Sequence, residues 1–153
     1  EVSFNEQTRA VYGPVGSWEA SLDLNDPDVL DDRGAVLGCD RLTVAQMAVP
    51  GGEPSLELAA TGNTVVEGRT FMARGARVSY AQSKDLLILE GDGRNDAELF
   101  RQMTLGGQTN RAAAKKIHYW PKTKRVNMDG IRGGEFEFSP EMGLRQSSGM
   151  PRR

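Results

Sequence analysis

The phrase "VSYAQSKDLLILEGDG" at 78–93 returns, in pattern rather than identity, as "IHYWPKTKRVNMDGIR" at 117–132. An offset of 39 places Tyr119 on Tyr80, Val126 on Leu87, Met128 on Leu89, Asp129 on Glu90 and Gly130 on Gly91. A third copy with a longer loop lies upstream: Leu42 and Val44 take the places of Val78 and Tyr80. After "AVPGGEP", Leu58, Ala60 and Gly62 take those of Leu87, Leu89 and Gly91. A fainter trace puts Val11, Tyr12 and Gly13 on Leu89, Glu90 and Gly91. Internal repetition constrains architecture more strongly than local propensity, because each unit must bury its apolar face against the next.

Within each unit the apolar positions alternate, at 78 and 80, 87 and 89, 117 and 119, 126 and 128, which is the period of a strand with one buried face. The polar stretches "AQSKD" and "WPKTK" between the arms have hairpin-loop length, so each unit reads as a hairpin. Arg125 and Asn127 stand where Leu86 and Ile88 stand in the earlier copy. The second face is therefore wet in one hairpin, while Leu86 and Ile88 support a neighbour or form an exposed strip. Glycine recurs at 13, 62, 91 and 130 and suggests a line of bends along one edge. Further strand candidates are "SWEASLDL" (17–24), "TVVEGRTFMARG" (64–75) and "GEFEFS" (134–139); 24–34 is a turn-rich acidic connection. The one helix candidate is 95–106, with Asn95 or Asp96 as N-cap and Leu99 and Met103 four apart. The expected fold is all-β: stacked antiparallel hairpins with at most one short helix, a single domain over 1–144 and a loose tail over 145–153.

A chain of 153 residues can bury a core without disulfides or metals. Its 18 glycines and 38% apolar content suit strands and turns. No apolar run reaches the length of a membrane span. The start "EVSFNEQTRA" has no signal-peptide pattern and no initiating Met, so a mature or excised chain is expected. The net charge of −2 hides a polarity: residues 1–100 hold 8 basic and 17 acidic groups (−9), and residues 101–153 hold 11 and 4 (+7).

The cadence "LTV…LAATGNTVVEG…FMARGARVSYAQSKDLLILEGDG…AKKIHYWPKTKRVNMDG" resembles the OstA-like domains of the lipopolysaccharide-transport and organic-solvent-tolerance proteins. An "A-x-G-N-V"-like bend is carried by Ala60, Gly62, Asn63 and Val65. The strand leading into a polar loop is carried by Ala76, Val78 and Tyr80, then by Lys115, Ile117 and Tyr119. The likeness covers roughly 42–132. It departs from the family's pattern in its longer loops and in the irregular stretch 95–114. The resemblance implies a half-open jelly roll whose apolar interior cradles the acyl chains of a lipid, in a periplasmic or envelope setting. It also implies edge strands that add to further copies or related β domains.

Eleven residues are the lipid-groove candidates: Leu42, Val44, Leu58, Val78, Tyr80, Leu87, Leu89, Ile117, Tyr119, Val126 and Met128. They could equally form a solid core, which leaves a structural or assembly module pairing through edge strands as the alternative. The basic stretch 111–125 offers Lys115, Lys116, Lys122, Lys124 and Arg125 as candidates for an anionic head group. Nucleic acid is disfavoured as a partner, because alternation turns Tyr119 inward. The lone histidine, His118, and the lone cysteine, Cys39, do not make a catalytic set, so no enzyme activity is expected. "GDGRND" (91–96) lacks both phosphate-loop and calcium-loop spacing. The acidic cluster Asp23, Asp26, Asp28, Asp31 and Asp32 reads as solvated, and no metal or cofactor is assigned.

Overall fold

The structure, a computed structural model, describes residues 1–12 and 34–131. Nine strands follow one another: β1 (Val2–Tyr12), β2 (Ala35–Met47), β3 (Ser55–Gly68), β4 (Phe71–Ala81), β5 (Leu86–Glu90), β6 (Ala97–Gln102), β7 (Thr109–Ala114), β8 (Lys116–Trp120) and β9 (Arg125–Asp129). Among the described residues the remaining regular element is a single 3-10 turn, Gln82–Lys84. All pairings are antiparallel, in the order β1-β2-β3-β4-β5-β8-β9, with β6 bridging β4 and β7.

Every long ribbon changes course once. Register slips occur at Asn5/Thr8 in β1, Gly38/Arg41 in β2 and Thr61/Thr64 in β3. In β4 the partner itself changes: residues 71–74 pair with β6 and residues 77–81 with β5. The chain from β5 to β6 is one ribbon interrupted by the turn 91–96, and β7 runs into β8 through Lys115 alone. The bends lie side by side, so the sheet folds over on itself into two arms, a half-open jelly roll. At the bend of β3, Gly62 has φ +78° and a Cβ there would strike the Asp40 carboxylate. Next to it Asn63 Nδ2 donates to Asp40 Oδ2 at 3.1 Å. Only glycine reconciles the left-handed backbone with that close approach.

The three hairpins read from the repeat are present with one shared pairing. Val78↔Leu89 and Tyr80↔Leu87 match Ile117↔Met128 and Tyr119↔Val126, and both match Leu42↔Ala60 and Val44↔Leu58. Three readings need correction. Residues 97–102 form β6 rather than a helix, because Ala97 and Leu99 are wholly buried by neighbours on both sides, and that outweighs a capping signal. The stretch 64–75 is two strands joined by the tight Arg69–Thr70 turn. Val11 and Tyr12 are out of phase with the repeat, since Tyr12 faces inward where Glu90 faces outward. The inner rows reach β1 at Val2 and Phe4 and continue at Ala10 and Tyr12, all of one parity across the slip at Asn5/Thr8, where Glu6 and Gln7 have positive φ. Gly13, the strands expected at 17–24 and 134–139, the acidic connection before Gly34 and the tail 145–153 lie outside the described residues.

Candidate functional site

The eleven groove candidates fall into two rows across the first arm. One runs Val44–Leu58–Tyr80–Leu87–Tyr119–Val126, and the other Leu42–Ala60–Val78–Leu89–Ile117–Met128, each member paired with the next. All of them belong to the core or pack against it. Alternation thus delivers one side of the interior. The second arm supplies the other through Leu37, Val66, Ala73, Leu99 and Ala112 in register, flanked by Ala97 and Ala114.

Two edge-to-face aromatic pairs span the arms. Tyr12 meets Tyr80 with ring centroids 5.4 Å apart, and Phe71 meets Tyr119 at 5.3 Å. Such contacts contribute beyond their buried area. Between and around them lies a cavity of about 730 Å³, lined by Tyr12, Ala35, Leu37, Leu58, Ala60, Val66, Phe71, Val78, Tyr80, Leu87 and Tyr119. Its rim carries Gln82, Asp85, Leu105, Pro121, Lys122 and Lys124. Leu89, Ile117 and Leu99 are fully buried but do not border the cavity, so the interior is solid on that side.

The rim is laced by hydrogen bonds. Asp85 Oδ2 accepts the Lys122 amide at 2.9 Å, joining the turns after β4 and β8. Gln82 Oε1 accepts the Leu56 amide and Ser55 Oγ accepts the Ser83 amide, both at 2.9 Å, which fixes the 3-10 turn to the start of β3. A clasp crosses between the arms: Arg101 Nη1 donates to the Lys124 carbonyl, and Lys124 Nζ donates to the Met103 carbonyl at 2.6 Å. Burial holds the Arg101 guanidinium below its ordinary pKa. Burial also pushes the Tyr119 phenol up to about 12, partly offset by Arg101. Tyr80 is raised further, first by burial and then by Tyr12 and Asp85, so both phenols are neutral donors at physiological pH.

The five head-group candidates are dispersed. Lys122 and Lys124 stand at the rim. Lys116 pairs with Glu90 at 3.4 Å, Lys115 packs its stem beside Gly130, and the Arg125 guanidinium lies 3.9 Å from the Trp120 ring centre. Tyr119, at 1% exposure, cannot stack on a base. His118 shares the outer face with Trp120, half-buried, its Nδ1 3.9 Å from Asp129 Oδ2. Leu86 and Ile88 form a half-buried strip on that same outer face. Cys39 is buried in the core, and burial, with Asp40, raises its thiol pKa. Asp92 caps its own turn, accepting the Arg94 and Asn95 amides, which holds its carboxyl low. Among the described residues no group of three metal-ligating side chains gathers, and no helix is long and apolar enough to cross a membrane.

Sequence reasoning missed Tyr12, Leu37, Val66, Phe71 and Arg101. Phe71 lay in a stretch read as one strand, and Arg101 in one read as helix. An alternation count over Ala97, Leu99 and Arg101 was the available signal.

No family model and no curated protein matches the chain. Among solved structures it is similar to LptH, the LptA-homologous periplasmic component of the conserved lipopolysaccharide transport device from Pseudomonas aeruginosa. The two share 15% identity with a TM-score of 0.49, over 87% of this chain and 90% of the other.

Proposed function

We propose that the chain binds an amphipathic lipid between its two arms, acyl portion inside and anionic head at the rim, without catalysis. The observation that carries this reading is the largely apolar cavity of about 730 Å³ whose rim carries Lys122 and Lys124 beside Asp85. That volume is typical of small-molecule sites. Each buried CH₂ contributes ~0.8 kcal/mol, so a partly inserted chain suffices for stable binding. A lipopolysaccharide-like ligand and a periplasmic or envelope setting are supported by the OstA-like cadence of the sequence. The raised thiol of Cys39 and the outward placement of His118 argue against nucleophilic chemistry.

Native mass spectrometry of the delipidated protein with a lipid A-type glycolipid tests the reading. A one-to-one adduct that weakens in Leu58→Asp, with the fold intact by circular dichroism, is expected. Absence of any adduct refutes it.

Strand addition at β1 is the second reading. Val2 and Phe4, 56% and 49% exposed, extend the two inner rows onto an edge that pairs with no further strand among the described residues. A partner strand laid there would cover both side chains and pair with the backbone of that edge. Light scattering across a concentration series, with Phe4→Lys as the disrupting variant, checks it.

A further inference from the structure

The cavity opens between the free ends of the two arms, on the side away from the bends. Its border there takes Asp85, Lys122 and Lys124 from the turns that end the first arm, and Thr70 and Leu105 from the turns that end the second. Leu105 belongs to the turn 103–108 between β6 and β7. Turn tips are ordinarily polar, yet Met103 is 42% and Leu105 58% exposed, the latter in water beside a largely apolar hollow. Bonds within the turn make it one unit: the Gly106 amide donates to Gln102 Oε1 at 3.2 Å and the Gly107 amide to the Thr104 carbonyl at 2.9 Å. Its base is anchored. The Gln102 amide donates to the Thr70 carbonyl at 2.7 Å, and Gln102 Nε2 donates to Thr109 Oγ1 at 3.2 Å.

Lys124 ties this turn across the mouth, its Nζ donating to the Met103 carbonyl at 2.6 Å. Lys124 stands at φ +55°, in the left-handed region that a lysine seldom adopts, and Arg101 Nη1 of β6 holds its carbonyl. The backbone of the tie is thus secured independently of its ammonium. Strain of this kind at a residue other than glycine persists where position matters.

Resting on the lipid reading, we propose that the turn 103–108 is a lid on the cavity, with Leu105 as the side chain that closes over an occupant and Lys124 as the latch. Breaking one hydrogen bond, to a neutral carbonyl, frees the tip to swing about its base at Gln102 and Thr109. An acyl chain then passes Lys122 toward Leu87. Once it is inside, Leu105 has an apolar surface to cover and the latch re-forms. An ammonium carries three donors, so Lys124 holds Met103 and still faces an anionic head group. Leu105 makes the contact, and Lys124 is the positioning residue.

The experiment times entry and exit of cis-parinaric acid and of its uncharged methyl ester by stopped-flow fluorescence, in the wild type, Lys124→Met, Lys124→Arg and Leu105→Ser. The ester separates the latch from any attraction between Lys124 and a charged head. With the ester, Lys124→Met speeds entry and exit alike by about three- to tenfold, the range one hydrogen bond spans, and leaves affinity nearly unchanged. Lys124→Arg, which keeps a donor, stays near the wild-type rates. Leu105→Ser speeds exit alone, and at its exposed position it keeps the test alive if the methionine variant does not fold. Ester rates unchanged in folded Lys124→Met, rates in Lys124→Arg as fast as in Lys124→Met, or an unchanged exit in Leu105→Ser overturn the lid while leaving lipid binding standing. No uptake of either probe by the wild type overturns the lipid reading and the lid together.

Discussion

The two halves of the interior are built from one repeat and one folded sheet, yet one half is packed and the other hollow. On the packed side Leu89 and Ile117 of the first arm face Leu99, Ala97 and Ala114 of the second, all at 0% exposure. On the hollow side Leu58, Ala60, Val78 and Tyr80 face Tyr12, Ala35 and Leu37 across the cavity. The backbone plan does not distinguish them, since the inner rows run unbroken through both. Contact between the arms does. The packed side sets Leu89 and Ile117 of one arm against Leu99 of the other, whereas the hollow side is spanned by aromatic bridges and, at its rim, by the Arg101–Lys124–Met103 clasp. A repeat therefore specifies where an interior lies and leaves individual positions to decide whether it is filled.

That contrast breaks most sharply by truncation. Ile117→Ala should lose about 3–4 kcal/mol in denaturant unfolding, because a fully enclosed site cannot collapse around the gap. Leu58→Ala, beside a space that already exists, should lose under about 1.5 kcal/mol. Equal losses would mean that the cavity does not relieve its wall.

Alkaline pH applies the same comparison through Tyr119. Its folded-state pKa, raised by burial to about 12, lies above the unfolded value near 10, so its contribution is fully present below pH ~10 and is lost as pH rises through ~12. The loss amounts to roughly 2–3 kcal/mol. Tyr119→Phe should flatten the stability profile across that window, measured by urea midpoints at successive pH values. An unchanged profile would remove Tyr119 as its source.

The smallest effect concerns the clasp. Lys124→Met removes the bond to Met103 but keeps most of the stem, at a cost of about 0.5–1 kcal/mol. Hydrogen exchange should then speed up in the turn between β6 and β7, leaving β3 and β4 unaffected.

How far this was readable beforehand differs between the arms. In the first arm the alternation of Val78/Tyr80, Leu87/Leu89, Ile117/Tyr119 and Val126/Met128 was enough to place the inward positions of β4, β5, β8 and β9, because large apolar residues mark them, while Val2 and Phe4 of β1 escaped it. In the second arm the inward positions include Ala73, Ala97, Ala112 and Ala114, which carry little hydrophobic signal, and Arg101, which reads as solvent-facing. With those positions silent, Leu99 and Met103 four apart looked like one face of a helix. Pairing with β4 and β7 decides the outcome there, and no local pattern encodes it. The aromatic bridges were beyond reach for the same reason, since each joins residues on opposite arms.

The solitary thiol of the chain, at position 39, sits in this interior at 5% exposure. An aqueous thiol reagent can reach it only when the crease loosens, so its labelling rate times the breathing of the hinge without any probe being added. Slower labelling with a bound amphiphile would report that the occupant locks the two leaves together; unchanged labelling would place the breathing elsewhere.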